Sequence, residues 1–430
     1  MCKTDHKIRS ADQGENRPLG IIAKSSAPLV SEGMQQTRRE RLKYQRVAAT
    51  ILGVDAQKEL KKKGIFKNPD PAKNEHFESS VHRVCGCMWT AIASNVLLAR
   101  SKEFGTGHVK NVATCGSVWV CPVCTARVQE RRREEIAKAM NAWYKQGGQV
   151  IMVTLTAPHY NGQKLKDLRA MQAEALAQLR KSSGAYKRFL TEKQGFEGLI
   201  RALEVTVGRK NGWHLHTHEL WFVKGDADVE KIKERTLDRW ENACYRAGLL
   251  NAFDPKQVRA FRRRAVDIKG AVSCSEYLAK MDDAKHWGAD REVAKQSTKQ
   301  GKKSGYHPFG LLAEVADEGK DASWAKVRFA EYAKAMKGAR QLYWSPGLKA
   351  KFEIDEKTDE EVANEHTDSM ERLRFIPNRV WYEIAKLGWR ARLLETIELN
   401  NKHHLDDFIR LVVRRIRHRS IEEKRLKESL

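Results

Sequence analysis

Polar and apolar positions along the chain change their period in a readable order. An apolar, β-branched run covers Val150–Thr156, and dense or alternating apolar character returns over Leu199–Val207 and Trp213–Val223, which predicts three strands. Helical spacing predicts helices over Leu165–Leu179 and Val229–Ala247. Upstream, the segment from Arg127 to Trp143 reads as a basic amphipathic helix that Gly147-Gly148 terminates. No glycine-rich phosphate loop follows any of the strands. The order therefore predicts an α+β fold, with a central antiparallel sheet and flanking helices, rather than a doubly wound one.

The flanks differ from this middle. Residues up to about Glu78 are polar and charged, with Arg38-Arg39-Glu40-Arg41 and Lys61-Lys62-Lys63, and read as a flexible or weakly helical basic arm. Past Ser323 the pattern is helical to the end, interrupted at Pro346 and Pro377, and closes in Arg414-Arg415-Ile416-Arg417-His418-Arg419. Four segments result: a basic arm (1–80), a cysteine-rich region with its basic helix (81–145), the α+β domain (146–320) and a helical basic C-terminal region (321–430).

Charge changes the functional picture. Among 430 residues, 80 lysines and arginines outnumber 55 aspartates and glutamates, a net charge of +25. Such an excess argues against an ordinary metabolic enzyme and points to a polyanion, most often nucleic acid. The longest apolar runs fall far short of a membrane span, and the N-terminus has no apolar stretch of the secretory kind, so a cytoplasmic protein is expected.

The densest chemistry lies in Gly212-Trp213-His214-Leu215-His216-Thr217-His218-Glu219. Side chains alternate along a strand, so His214, His216 and His218 share one face, with successive rings about 7 Å apart by strand rise. Three imidazoles so placed can converge on a divalent ion at an open position. The carboxylate candidate is Glu204 on the preceding strand, and register decides its part. A two-residue turn at Asn211-Gly212 would put Glu204 opposite Glu219, on the wrong face. A loop of three or five residues within Gly208–Gly212 puts it opposite His218 or His216, and that is the favoured arrangement.

Downstream, Ser273-Cys274-Ser275-Glu276-Tyr277-Leu278-Ala279-Lys280 places Tyr277 and Lys280 as neighbours on a helical face. A nearby ammonium favours the phenolate and so activates the tyrosine as a nucleophile. Val153-Thr154-Leu155-Thr156, the histidine strand with Glu204-Val205-Thr206 before it, Tyr277-Leu278-Ala279-Lys280 and Pro308-Phe309-Gly310-Leu311-Leu312 together resemble the HUH endonucleases. More narrowly, they resemble the rolling-circle replication initiators of bacterial plasmids and phages, over roughly Cys85 to Trp344.

The resemblance implies the HUH fold for 146–320 and a sequence-specific nick in one DNA strand at an origin, in single-stranded or hairpin form. Tyr277 would attack the scissile phosphate, leaving a 5′-phosphotyrosine and a 3′-hydroxyl that primes synthesis. It gives His216 and His218 the paired-ligand role for Mg²⁺ or Mn²⁺, with His214 as an extra upstream histidine. It also implies host helicase and polymerase as partners in a bacterial cytoplasm. Glu219 stands where the family carries a hydrophobic residue. Ser273 stands where some relatives carry a water-activating glutamate, and neither Ser273 nor Met281 offers a second tyrosine. The rival readings are a single-strand transposase of the HUH type and a non-catalytic zinc-dependent nucleic-acid-binding protein.

Cys121-Pro122-Val123-Cys124 has zinc-knuckle spacing, with Cys115 upstream and Cys85-Gly86-Cys87 farther back. Thiolates at this spacing suit tetrahedral Zn²⁺ in a structural site. Five cysteines (Cys85, Cys87, Cys115, Cys121 and Cys124) compete for four positions, with His108 as a substitute.

Overall fold

The computed structural model of the chain describes residues 32–62, 81–181, 184–272, 305–365 and 369–428. Strands form where β-branched and aromatic residues concentrate. Gly148–Thr156 (β3), Gly198–Gly208 (β4) and Gly212–Lys224 (β5) build the middle of a five-stranded sheet. Val266–Lys269 (β6) and Leu342–Trp344 (β7) complete it, in the order β6-β3-β5-β4-β7 with every pairing antiparallel. Leu165–Arg180 (α3) and Val229–Arg246 (α4) fall where 3.6-residue spacing predicts them. Asp228 starts α4 by accepting a hydrogen bond from the Lys231 amide.

Alternation gives each sheet face its own chemistry. One face carries Trp213, Leu215, Trp221 and Val223, which share a core with Leu168 and Leu176 of α3 and Ile232 and Trp240 of α4. The opposite face is split. At one end Val150, Met152, Ile200, Leu220 and Phe222 pack on Ile136, Ala139 and Met140 of helix Pro122–Lys145 (α2) and on Phe352. At the other end the same face continues as Thr154, Thr156, Glu204, His214, His216 and His218, all only half-buried. The functional groups thus occupy the uncovered half of a face whose other half is core.

Glu219 lies on the covered face. It is fully buried, and it takes a 2.6 Å ion pair from Arg180 and a 2.8 Å hydrogen bond from Trp221 Nε1. That buried position accepts a carboxylate because both oxygens are satisfied.

A second sheet, β2-β1-β8, joins Gly107–Lys110 (β2), Asn95–Ser101 (β1) and Met370–Pro377 (β8). Its β1–β8 ladder ties chain segments far apart in sequence, with a register shift at Leu98/Ala99. The expectation of an all-helical C-terminal region is corrected here. The helical C-terminal region contributes β7 and β8 to the two sheets; β7, Leu342-Tyr343-Trp344, is too short for a period to show, and β8 carries Glu371, Arg372 and Arg374 among its eight residues. The basic arm contains helix Glu32–Lys62 (α1), which buries Leu42, Ala48, Ile51 and Leu52 at helical spacing beneath a dense coat of charge. The rest of that arm lies outside the described residues. Among the described residues, no helix is long and apolar enough to cross a membrane.

Replacing Glu219 with alanine leaves the Arg180 guanidinium and the Trp221 indole N–H without their carboxylate. The expected outcome is a loss of about 2–3 kcal/mol, read as a lower urea midpoint with an unchanged slope.

Candidate active site

Everything in the site follows from the β4–β5 hairpin. Gly208 pairs with Gly212 across a three-residue loop, Arg209–Asn211, which puts Glu204 opposite His216 and Ala202 opposite His218. Gly212 has φ +71°, and a Cβ there would come within 2.9 Å of the Tyr160 carbonyl oxygen. Both the backbone handedness and the close approach of the 157–164 loop require glycine.

Three donor atoms meet. Glu204 Oε2 lies 2.9 Å from both His216 Nε2 and His218 Nε2, and the two ring nitrogens are 3.1 Å apart. Ligands on one face of an octahedral ion with bonds of about 2.1 Å are separated by about 3.0 Å, so the three atoms fit a two-histidine, one-carboxylate facial set. Burial alone would raise the Glu204 pKa. Hydrogen bonds from His216 and His218 outweigh it and hold the carboxyl well below its ordinary range, ionised at neutral pH. Thr154 Oγ1 lies 3.0 Å from His218 Nδ1 and can accept its N–H, which leaves the Nε2 lone pair for a cation.

His214, the third histidine of the strand, does not join the donor set. It stacks on His216 at 4.7 Å and on His159 at 4.6 Å. Burial lowers its pKa to about 4, helped by His216 and His159, so the stack is neutral at that ring.

Sequence reasoning gave no role to three further residues here. His159 follows β3 in Pro158-His159. His307 lies one residue beyond the Val207–Tyr306 bridge and accepts from the Phe309 amide, capping helix Pro308–Ala316 (α6). It sits within the field of Glu204. Its signal was positional, since a histidine just before proline at a helix start is a capping site. Asp267 of β6 registers with Thr154 and presents an exposed carboxylate to the same face. Tyr277 and Lys280 lie outside the described residues.

The cysteines form a second cluster. Cys87, Cys115, Cys121 and Cys124 are all buried together, with Sγ separations of 3.7 Å (Cys87–Cys121), 3.6 Å (Cys87–Cys124) and 3.7 Å (Cys115–Cys124). The edges of a tetrahedron with metal–sulfur bonds of about 2.3 Å are about 3.8 Å, so the four sulfurs fit Zn²⁺; they are far too distant for disulfides. Cys121 and Cys124 open α2, and Cys87 follows the turn Arg83–Gly86.

Hydrogen bonds from Cys115, Cys121 and Cys87 pull the Cys124 thiol down, while burial pushes Cys121 up. Cys85 stands apart and donates to the Ala49 carbonyl at 3.3 Å, and His108 pairs with Thr106 at 2.8 Å. Gln45 of α1 donates to the Val84 and Cys87 carbonyls. The buried Arg390 donates to the Met88 carbonyl and to Gln45 Oε1.

Comparison with known proteins supplies the biological context. The model of a family described as "Replication protein" matches residues 106–387. The chain is 31% identical over 324 residues to "Protein rep" of Streptomyces lividans, covering 61% of this chain and 68% of that one. It is 32% identical over 187 residues to a "Neomycin resistance protein" of Streptomyces cyanogenus, covering 36% and 43% of the two chains. A "Protein rep" of Lentilactobacillus hilgardii is 24% identical over 158 residues, 36% of this chain and 48% of that one. No solved structure matches.

Two measurements follow. Elemental analysis of the purified chain is expected to find one zinc per molecule, lost in Cys87→Ser or Cys121→Ser and retained in Cys85→Ser. His82 and His307 both have pKa values lowered to about 4, chiefly by burial, against an ordinary 6.5. The folded state therefore binds fewer protons than the unfolded one between these values, and stability falls as pH drops from 6.5 through about 4. A urea midpoint lower at pH 5 than at pH 7.5 is the expected result.

Proposed function

The chain belongs to this replication-protein family, and we propose that it starts plasmid replication by nicking one DNA strand at an origin, as an HUH-type endonuclease. The observation that carries this reading is the meeting of Glu204, His216 and His218 on the open half of a sheet face. A divalent ion such as Mg²⁺ or Mn²⁺ held there would stabilise negative charge on a phosphate oxygen.

The residues themselves divide the remaining work. Ionised Glu204 and the two rings hold a fixed donor set, and Thr154 orients His218. The Tyr277 oxygen attacks phosphorus and the bond to the 3′-oxygen breaks. The tyrosine proton is given up, the departing 3′-oxygen takes one, and the phosphate stays on tyrosine. Lys280 favours the phenolate. Strand ends are thus conserved for rejoining rather than hydrolysed. The cysteine cluster, with zinc bound, would organise a structural lobe rather than take part in the chemistry. DNA is the partner that family membership implies, and host helicase and polymerase are proposed to follow the nick.

The test uses a 3′-labelled origin oligonucleotide with Mn²⁺, so that the label stays on the fragment joined to the tyrosine. Wild type is expected to form a denaturation-resistant adduct that maps to Tyr277. Tyr277→Phe should bind DNA yet form none, and His216→Ala or Glu204→Ala should slow cleavage by about two orders of magnitude or more. Unchanged cleavage in Tyr277→Phe, or in excess chelator, sinks the reading.

A further inference from the structure

On the loops that connect to the donor set, the surface carries two exposed aromatic rings that the chemistry does not use. Phe253 is 94% exposed, in the turn between α4 and helix Pro255–Arg264 (α5). A phenyl ring so open to water costs solvation free energy, and its turn nevertheless holds it in place. The Phe253 amide donates to Asn251 Oδ1, and Asp254 caps α5 by accepting from the Lys256 and Gln257 amides. The second ring, Tyr160, is 49% exposed on the loop after β3.

One side chain couples the two loops. Gln257 accepts the Asn251 amide at Oε1 (2.6 Å) and donates from Nε2 to the Tyr160 hydroxyl (3.0 Å). From Tyr160 the path to the donor set is short in sequence and continuous in rings: the adjoining His159 stacks on His214, which stacks on His216. The end of α5 is fastened to β3, the strand paired with that of the histidines, because Thr156, opposite His216, donates from its amide to the Ala265 carbonyl and from its hydroxyl to the Arg264 carbonyl.

Charge follows the same line. Lys256, Arg259 and Arg263 lie on one face of α5, are exposed, and make no ion pair among the described residues. Their neighbour Arg262 is tied instead to Asp238 and Glu241 of α4. Rings that accept stacking, next to unpaired cations, are the two elements of a single-strand binding surface. Duplex DNA would use the cations and leave the rings idle, because its bases are already stacked.

We propose that Tyr160, Phe253 and the cationic face of α5 form a track that seats unpaired DNA bases leading into the Glu204–His216–His218 site. This extends the nicking reading by naming where the strand lies. Lys256, Arg259 and Arg263 hold the backbone phosphates, while the two rings stack on bases without reading their sequence.

The experiment measures fluorescence anisotropy of a labelled oligothymidylate of about 15 nucleotides and of a matching duplex, in chelator so that no cleavage intervenes. Tyr160→Ala and Phe253→Ala are each expected to weaken single-strand binding by about 5- to 100-fold, with little effect on the duplex. Phe253→Trp should retain binding, since the stacking ring remains. Removing Lys256 and Arg259 should flatten the salt dependence by about 0.7 per charge. Thermal melts of the Phe253 variants should match wild type, because an exposed ring adds nothing to the core.

Single-strand affinity unchanged in both alanine variants overturns the track, and would leave Phe253 as a contact for a protein partner. Equal losses on single strand and duplex overturn the stacking role as well. Because cleavage is not measured, this result stands apart from the tyrosine test: the track survives an inactive Tyr277, and the nickase reading survives the loss of the track.

Discussion

The constraint on which the site depends is the number of residues in one turn. With three residues between Gly208 and Gly212, the paired positions of β4 and β5 place carboxylate and imidazoles on a common face. A slip of one position would send Glu204 to the side now held by Glu219, among Trp221 and Leu215. There a second carboxylate would have no partner. The register is thus set twice, by the loop and by the penalty for burying the wrong charge. Gly212 adds a third condition, since any larger residue would push away the loop that carries His159 and Tyr160.

Two glutamates, fifteen residues apart on adjacent strands, show how environment assigns a role. Glu219 is enclosed, and its oxygens are occupied by an arginine and an indole, so it holds the sheet to α3. Glu204 is half-buried, and its partners are rings that can exchange a proton for a cation. The same side chain is structural on one face and available for chemistry on the other. Covering half of the second face with α2 and Phe352 gives the open half a rigid base.

The central strands and helices were legible because each carries a strong period, and β3, β4 and β5 begin at glycine while α4 begins at a capping aspartate. The shared face of the three histidines followed from alternation alone. That His214 would stack rather than ligate did not, because the choice depends on His159, which arrives from a different loop. Five cysteines could not be reduced to four from spacing. Cys85 and Cys87 are two residues apart, and only the turn between them sends one sulfur into the cluster and the other to the Ala49 carbonyl. α1 was obscured because its buried residues are outnumbered by surface charge. β8 was obscured because an edge strand that pairs on one side can be polar nearly throughout.

The ladder between β1 and β8 has a bearing on how the molecule is made. Its two strands emerge from the ribosome with the whole central sheet between them, so the first must wait through most of translation for its mate. Closing so long a loop is slow, and an unfinished chain presents an open strand edge beside a nest of thiols. Order of synthesis is therefore built into maturation: β1 can be sealed on this side only after Met370–Pro377 has followed the whole central sheet out.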